Sequence, residues 1–239
     1  MTGSPTIRVE VFVARVRSDG ASVPVNPRER ALLYALVAAR RPVVRGELQA
    51  TLWPDFEPAA ARNALGVCLH RLRRQIGDVS AIVRTPAGYA LGPQVSVDLW
   101  DAEDLERRLL RCQPLRAAER AAGRSLLATL QRAPAAATLP SGEAFVAFQL
   151  RAEAVRRNIA LLLGMDALAN GDTSAAIACA DVMLAVDPCD EAACEIAMRA
   201  HLALGDRASA IRDYRAYQRA VTTELQLPPS PHLWTMLTA

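Results

Sequence analysis

Apolar side chains recur at every second position near the start of the chain, with Ile7, Val9, Val11 and Val13 set against Arg8, Glu10 and Phe12. That period predicts a strand with one buried face. Ser18-Asp19-Gly20 supplies a turn, and Val23 and Val25 mark a returning strand, so a small antiparallel sheet is expected to lead the chain. At Asn26 the period changes. Asn26 as N-cap, Pro27 at the first helical position and Glu29 three residues on, followed by Leu32, Leu33, Leu36 and Val37, predict a helix that Pro42 stops. A second helix is expected from Arg45 to Trp53, ahead of Pro54, and a third from Pro58 to Ile76 with its exit at Gly77-Asp78.

The third helix is two-faced. At about 100° per residue, Ala61, Leu65, Cys68, Leu69, Leu72 and Ile76 share one side, while Asn63, Val67, His70 and Arg74 fall opposite. Gly66 and Arg73 flank the outer face on one side and Arg71 on the other, with Arg62 nearer the seam. A helix of this kind fits the major groove of a duplex, where asparagine and arginine bond base edges in pairs and other arginines hold phosphates. A plain surface helix would look similar. Residues 81–91 then read as two short strands, Ala81 to Thr85 and Tyr89 to Leu91, around a tight turn at Pro86-Ala87-Gly88, which is the shape of a wing beside a recognition helix.

Charge sharpens this picture. Residues 1–97 hold 13 arginines against 7 acids, a net +6, whereas residues 98–239 hold 15 arginines against 18 acids, a net −3. Positive charge confined to one small segment is the footprint expected where phosphates bind, although a solvated basic face would give the same count. All 28 basic residues are arginine. A phosphate-binding Walker loop and a pyridoxal Schiff base both need lysine, so neither is available. The three histidines, His70, His201 and His232, stand in no pattern with a nucleophile, and no enzyme activity is expected. Cys68, Cys112, Cys179, Cys189 and Cys194 are scattered without metal-ligand spacing. They are expected to be reduced thiols, with no metal and no cofactor. The absence of a long apolar run or a signal-peptide layout makes the expected location cytoplasmic.

Beyond Asp98 the strand-like alternation gives way to stretches of Ala, Leu and Arg that predict helices throughout. Gly171-Asp172 recurs as Gly205-Asp206, Leu168-Ala169 as Leu202-Ala203, and Ala176-Ile177 as Ala210-Ile211, each at an offset of 34 residues. This is the period of tetratricopeptide-type helical hairpins. Asp187-Pro188 with Glu191 marks a junction between hairpins, and Arg132 to Pro140 is expected to form a loop. The fold class is therefore mainly α with a small β part, a winged helix-turn-helix over residues 1–97 followed by an all-α TPR-like repeat domain over 98–239.

The order of sheet, three helices and hairpin resembles the OmpR-type winged helix. It is more closely similar to the SARP family of bacterial regulators, on the phrases Glu47-Leu48 through Leu52-Trp53-Pro54-Asp55, Leu69-His70-Arg71-Leu72-Arg73-Arg74-Gln75-Ile76-Gly77, and Gly88-Tyr89-Ala90-Leu91. The second half resembles the bacterial transcriptional activation domain of the same family, from Asp98-Leu99-Trp100 to Glu224-Leu225 and Pro229-Ser230. The resemblance implies Asn63, Val67, His70 and Arg71 facing bases, Arg62, Arg73 and Arg74 facing phosphates, and a wing contact at Arg84 and Thr85. The family often has arginine directly before the wing turn, where this chain has Thr85, with Arg84 one residue earlier on the other strand face. It further implies double-stranded DNA with direct repeats as the target, pairing of copies on DNA, and RNA polymerase, through its sigma factor, as partner. The loop Pro54, Asp55, Phe56 and Glu57 is the contact that OmpR-type proteins suggest. The alternative is a protein- or ligand-binding repeat module whose winged helix does not read sequence; only a duplex reader would bind DNA with a steep salt dependence.

Overall fold

A computed structural model describes residues 6–112, 114–131 and 143–238. They divide into two compact units, one formed by residues 6–101 with 143–152 and the other by 102–131 with 153–238.

The first unit opens on a four-stranded sheet with the order β3-β2-β1-β6. Strands β1 (Ile7–Glu10), β2 (Arg15–Ser18) and β3 (Ala21–Val23) form an antiparallel meander, and β6 (Val95–Val97) pairs parallel to β1 with Ile7 opposite Val95. Ile7 and Val9 are fully buried, as the period of two requires. The expected strand to Val13 stops at Glu10. Val11 and Phe12 are consecutive and both buried, which an alternating strand cannot provide, and the chain turns at Ala14 with φ +52° into an additional hairpin. Likewise the returning strand ends at Val23, short of Val25.

Helix α1 (Pro27–Ala39) begins where proline's missing N–H costs nothing, but the Asn26 side chain makes no capping hydrogen bond. It packs on α2 (Arg45–Leu52) and α3 (Pro58–Ile76) through Leu32, Leu33, Leu36 and Val37, all buried. The chain leaves α1 at Arg40, in the left-handed region at φ +52°, whose guanidinium lies 5.0 Å over the Trp100 ring. Helix α4 (Asp98–Arg111) starts directly after β6, and the Asp98 carboxylate accepts hydrogen bonds from the backbone amides of Val11 (2.7 Å) and Phe12 (3.4 Å). The first ten residues of α6 (Glu143–Ala169) complete this core with buried Phe145, Phe148 and Ala152, the Phe148 ring 5.7 Å from that of Tyr34.

The second unit is helical, with α5 (Ala117–Leu130), α7 (Thr173–Leu184), α8 (Glu191–Ala203), α9 (Arg207–Ala220) and α10 (Pro231–Thr238). The 34-residue repeat has a local cause. Gly171 and Gly205 take φ of +72° and +73°, a conformation that only glycine adopts without strain, and the following aspartates cap the next helix. Asp172 accepts from the Ala175 amide at 3.1 Å and Asp206 from the Ser209 amide at 3.0 Å. Ala176 and Ala210, equivalent in the repeat, are both fully buried where the paired helices approach. At the Asp187-Pro188 junction, Asp190 caps α8 and is clasped by both Nε and Nη2 of Arg157. After α9 the helix widens into one π turn (Val221–Leu225) before the chain reverses at Gln226. The loop expected from Arg132 to Pro140 lies outside the described residues.

Candidate nucleic-acid interface

Helix α3 runs over the predicted span, and its inner face is the predicted one: Ala61, Leu65, Cys68, Leu69, Leu72 and Ile76 are all buried. Gly77, at φ +80°, ends it. On the outer face Arg62, Asn63, Val67, His70, Arg71 and Arg74 are exposed. No acidic residue lies between Pro58 and Gly77, so this face presents cations without internal neutralisation. Val67, 49% exposed, is an apolar position in an otherwise polar stripe. Arg73 differs from its neighbours. It is half-buried and its Nη2 donates to the Ile82 carbonyl at 2.6 Å.

The wing consists of β4 (Ile82–Thr85) and β5 (Gly88–Leu91), paired antiparallel with Arg84 opposite Tyr89 and Thr85 opposite Gly88. The Thr85 hydroxyl donates to the Gly88 carbonyl at 3.1 Å and so closes the hairpin turn. Arg84 is exposed, and it lines an open cleft of about 660 Å³ together with Gly66, His70, Arg73 and Arg74. The cleft thus lies between the outer, C-terminal part of α3 and the wing, with arginines from both walls.

Residues outside the candidate DNA-facing set hold this geometry. Val43, between α1 and α2, exchanges both backbone hydrogen bonds with Tyr89, each 2.8 Å long. At the junction of α3 and wing, Asp78 accepts from the Ser80 amide and hydroxyl and from the Gln94 side chain, each at 2.7 Å. The Ser80 hydrogen bond is the main reason that its carboxyl is held below the usual range. Turn propensity marks Asp78 in the sequence, but its partner sixteen residues away does not show there.

The loop ahead of α3 is also displayed. Pro54, Asp55, Phe56 and Glu57 are exposed, Phe56 by 44%, while Trp53 is buried beneath them and its carbonyl accepts from the Phe56 amide at 3.2 Å.

Elsewhere the reactive side chains are in quiet surroundings. Burial pushes the thiols of Cys68, Cys179 and Cys194 up to about 12. Among the described residues no group of three or more His, Cys, Asp and Glu could hold a metal ion, and no helix is long and apolar enough to cross a membrane.

In comparisons with known proteins, the whole chain is similar in fold to Mycobacterium tuberculosis EmbR, solved in complex with a low-affinity phosphopeptide. The match has a TM-score of 0.64 and 22% identity, and covers 98% of this chain and 65% of that one. The chain therefore spans just under two thirds of that structure's length. No curated protein matches it in sequence. Residues 97–238 match the model of the bacterial transcriptional activator domain. That match takes in more than half of the chain, and the protein belongs to the bacterial transcriptional activator domain family.

Proposed function

We propose that the protein is a sequence-specific DNA-binding transcription regulator, an activator that reads promoter DNA with α3 and recruits RNA polymerase. The observation that carries this reading is the acid-free outer face of α3, which leads into a cleft closed on its far side by Arg84 of the wing. On this reading Asn63, Val67, His70 and Arg71 meet base edges, Arg62 and Arg74 hold phosphates, and Arg84 reaches the adjacent backbone or minor groove. Thr85 shapes the wing turn. The exposed Pro54–Glu57 loop, with Phe56 outward, is the surface offered to polymerase, through its sigma factor, and copies of the chain pair on direct repeats. The fold likeness and the activator-domain family support regulation; the charge and geometry of the first unit support the duplex.

Selection of genomic fragments on the purified protein at two salt concentrations tests the proposal. A motif retained at the higher salt is expected, recurring as a direct repeat. Capture without a motif, or at low salt only, would instead favour a repeat module that binds proteins. Two variants then separate reading from holding. Asn63→Ala is expected to relax preference at one base position, losing about 1–3 kcal/mol of discrimination. Arg74→Ala is expected to weaken all duplexes alike and to lower the slope of log affinity against log salt by about 0.9. An unaltered preferred site in Asn63→Ala would mean that α3 enters the groove in another orientation.

A further inference from the structure

The wing is mounted on the rest of the first unit at two points, one on each strand. Its second strand is fixed by the paired backbone hydrogen bonds between Tyr89 and Val43, each 2.8 Å. Its first strand is fixed from α3 itself, where Arg73 Nη2 donates to the Ile82 carbonyl at 2.6 Å. Arg73 Nε is buried and has no hydrogen-bond partner among the described residues, so the inner part of the guanidinium is turned into the protein and away from solvent. The family resemblance places this arginine among the phosphate holders, beside Arg74, and helical spacing puts it only at the flank of the outer face. Its surroundings give it different work.

We propose that Arg73 is a positioning residue that sets the wing's angle to α3, and that it contributes no phosphate contact. This rests on the duplex-reading function proposed above. The physical reason is preorganisation. A two-stranded hairpin is marginal by itself, and its ordering would have to be repaid at each binding event unless the fold had already ordered it. The hydrogen bond from a charged donor to Ile82 ties β4 to the last turns of α3. Arg84, two residues beyond Ile82 on the same strand, is thereby presented at a fixed distance from Arg74 across the cleft. Arg73 acts through Arg84, not on the duplex.

Phosphate holders and positioning residues differ in salt dependence, because only a side chain that neutralises a phosphate releases a counterion. The test measures affinity for a selected duplex over a salt series, together with hydrogen exchange of the Ile82–Leu91 amides in the free protein, for wild type, Arg73→Met, Arg73→Lys and Arg74→Ala. Arg73→Met is expected to bind about tenfold more weakly at every salt concentration, with the wild-type slope and faster exchange in the wing. Arg73→Lys, which keeps a donor for Ile82, is expected to recover most of the affinity and protection, and it serves as the folded comparison where the methionine variant is unstable. A slope reduced by about 0.9, as expected for Arg74→Ala, with wing exchange unchanged would overturn the proposal. So would wild-type affinity and exchange in Arg73→Met. If the wild-type chain bound no duplex, the functional reading would fail, while the exchange measurement would still decide whether Arg73 holds the wing.

Discussion

Gly88→Ala is expected to cost roughly 3 kcal/mol or more of local stability in the wing and to abolish duplex binding. Gly88 opens β5 at φ +135°, where a side chain is strained whatever the available space, and the space itself is missing. A Cβ built there would lie 2.2 Å from the Val43 carbonyl oxygen and 2.5 Å from its carbon. Both atoms are backbone, so no rotamer change relieves the clash. Val43 cannot withdraw without giving up its two hydrogen bonds to Tyr89. The alanine therefore acts against the contact that fixes β5. Hydrogen exchange at the Val43 and Tyr89 amides, read beside duplex affinity, checks this, and wild-type protection with wild-type binding would refute it. The helical-repeat unit is expected to retain its exchange pattern, because its repeat turns are capped by its own residues, Asp172 on the Ala175 amide and Asp206 on the Ser209 amide.

What could be read from the sequence was what depends on neighbours close along the chain. The ends of α3 were legible because Pro58 fits a helix start and Gly77 a helix stop, and its buried face followed from a 3.6-residue period. The 34-residue repeat was legible because the same Gly-Asp pair turns the chain and caps a helix in both copies. What stayed hidden depended on partners far away. Val11-Phe12 looks like more strand until Asp98, 87 residues on from Val11, takes up the turn's free amides. Arg73 sits at the rim of the outward face by helical arithmetic, and only the carbonyl of Ile82 shows that it is drawn inward. Phe145 and Phe148 lie inside the span 98–239 expected to form the repeat domain, yet they are buried and belong to the first unit. Among the candidate site residues, helical period could tell inside from outside on α3. It could not tell a side chain aimed at DNA from one aimed at the wing.

A change from pH 4 to pH 7 is expected to destabilise the wild-type chain relative to Asp98→Asn. Asp98 is buried at the start of α4, and burial pushes its carboxyl up from 3.8 to about 6, even though the amides of Val11, Phe12 and Leu99 and the Arg8 charge pull it down. Between these two values the folded chain holds a proton that the unfolded chain has released. Stability contributed by this group is therefore full below 3.8 and is lost as pH rises through about 6. The gap corresponds to roughly 3 kcal/mol. Asp78, Asp166 and Asp206, whose carboxyls are held low by hydrogen bonds, slope the other way, so the wild-type profile alone would mix opposing effects. The difference between wild type and variant removes them. Asparagine keeps an oxygen for the Val11 amide but cannot ionise, so its penalty should be largest at low pH and shrink, or change sign, by pH 7. Urea denaturation of both proteins between pH 4 and 7.5, followed by exchange at the Val11 and Phe12 amides, measures this. Parallel profiles would mean that Asp98 titrates as an ordinary carboxylate, its amide hydrogen bonds just balancing the cost of burying its charge.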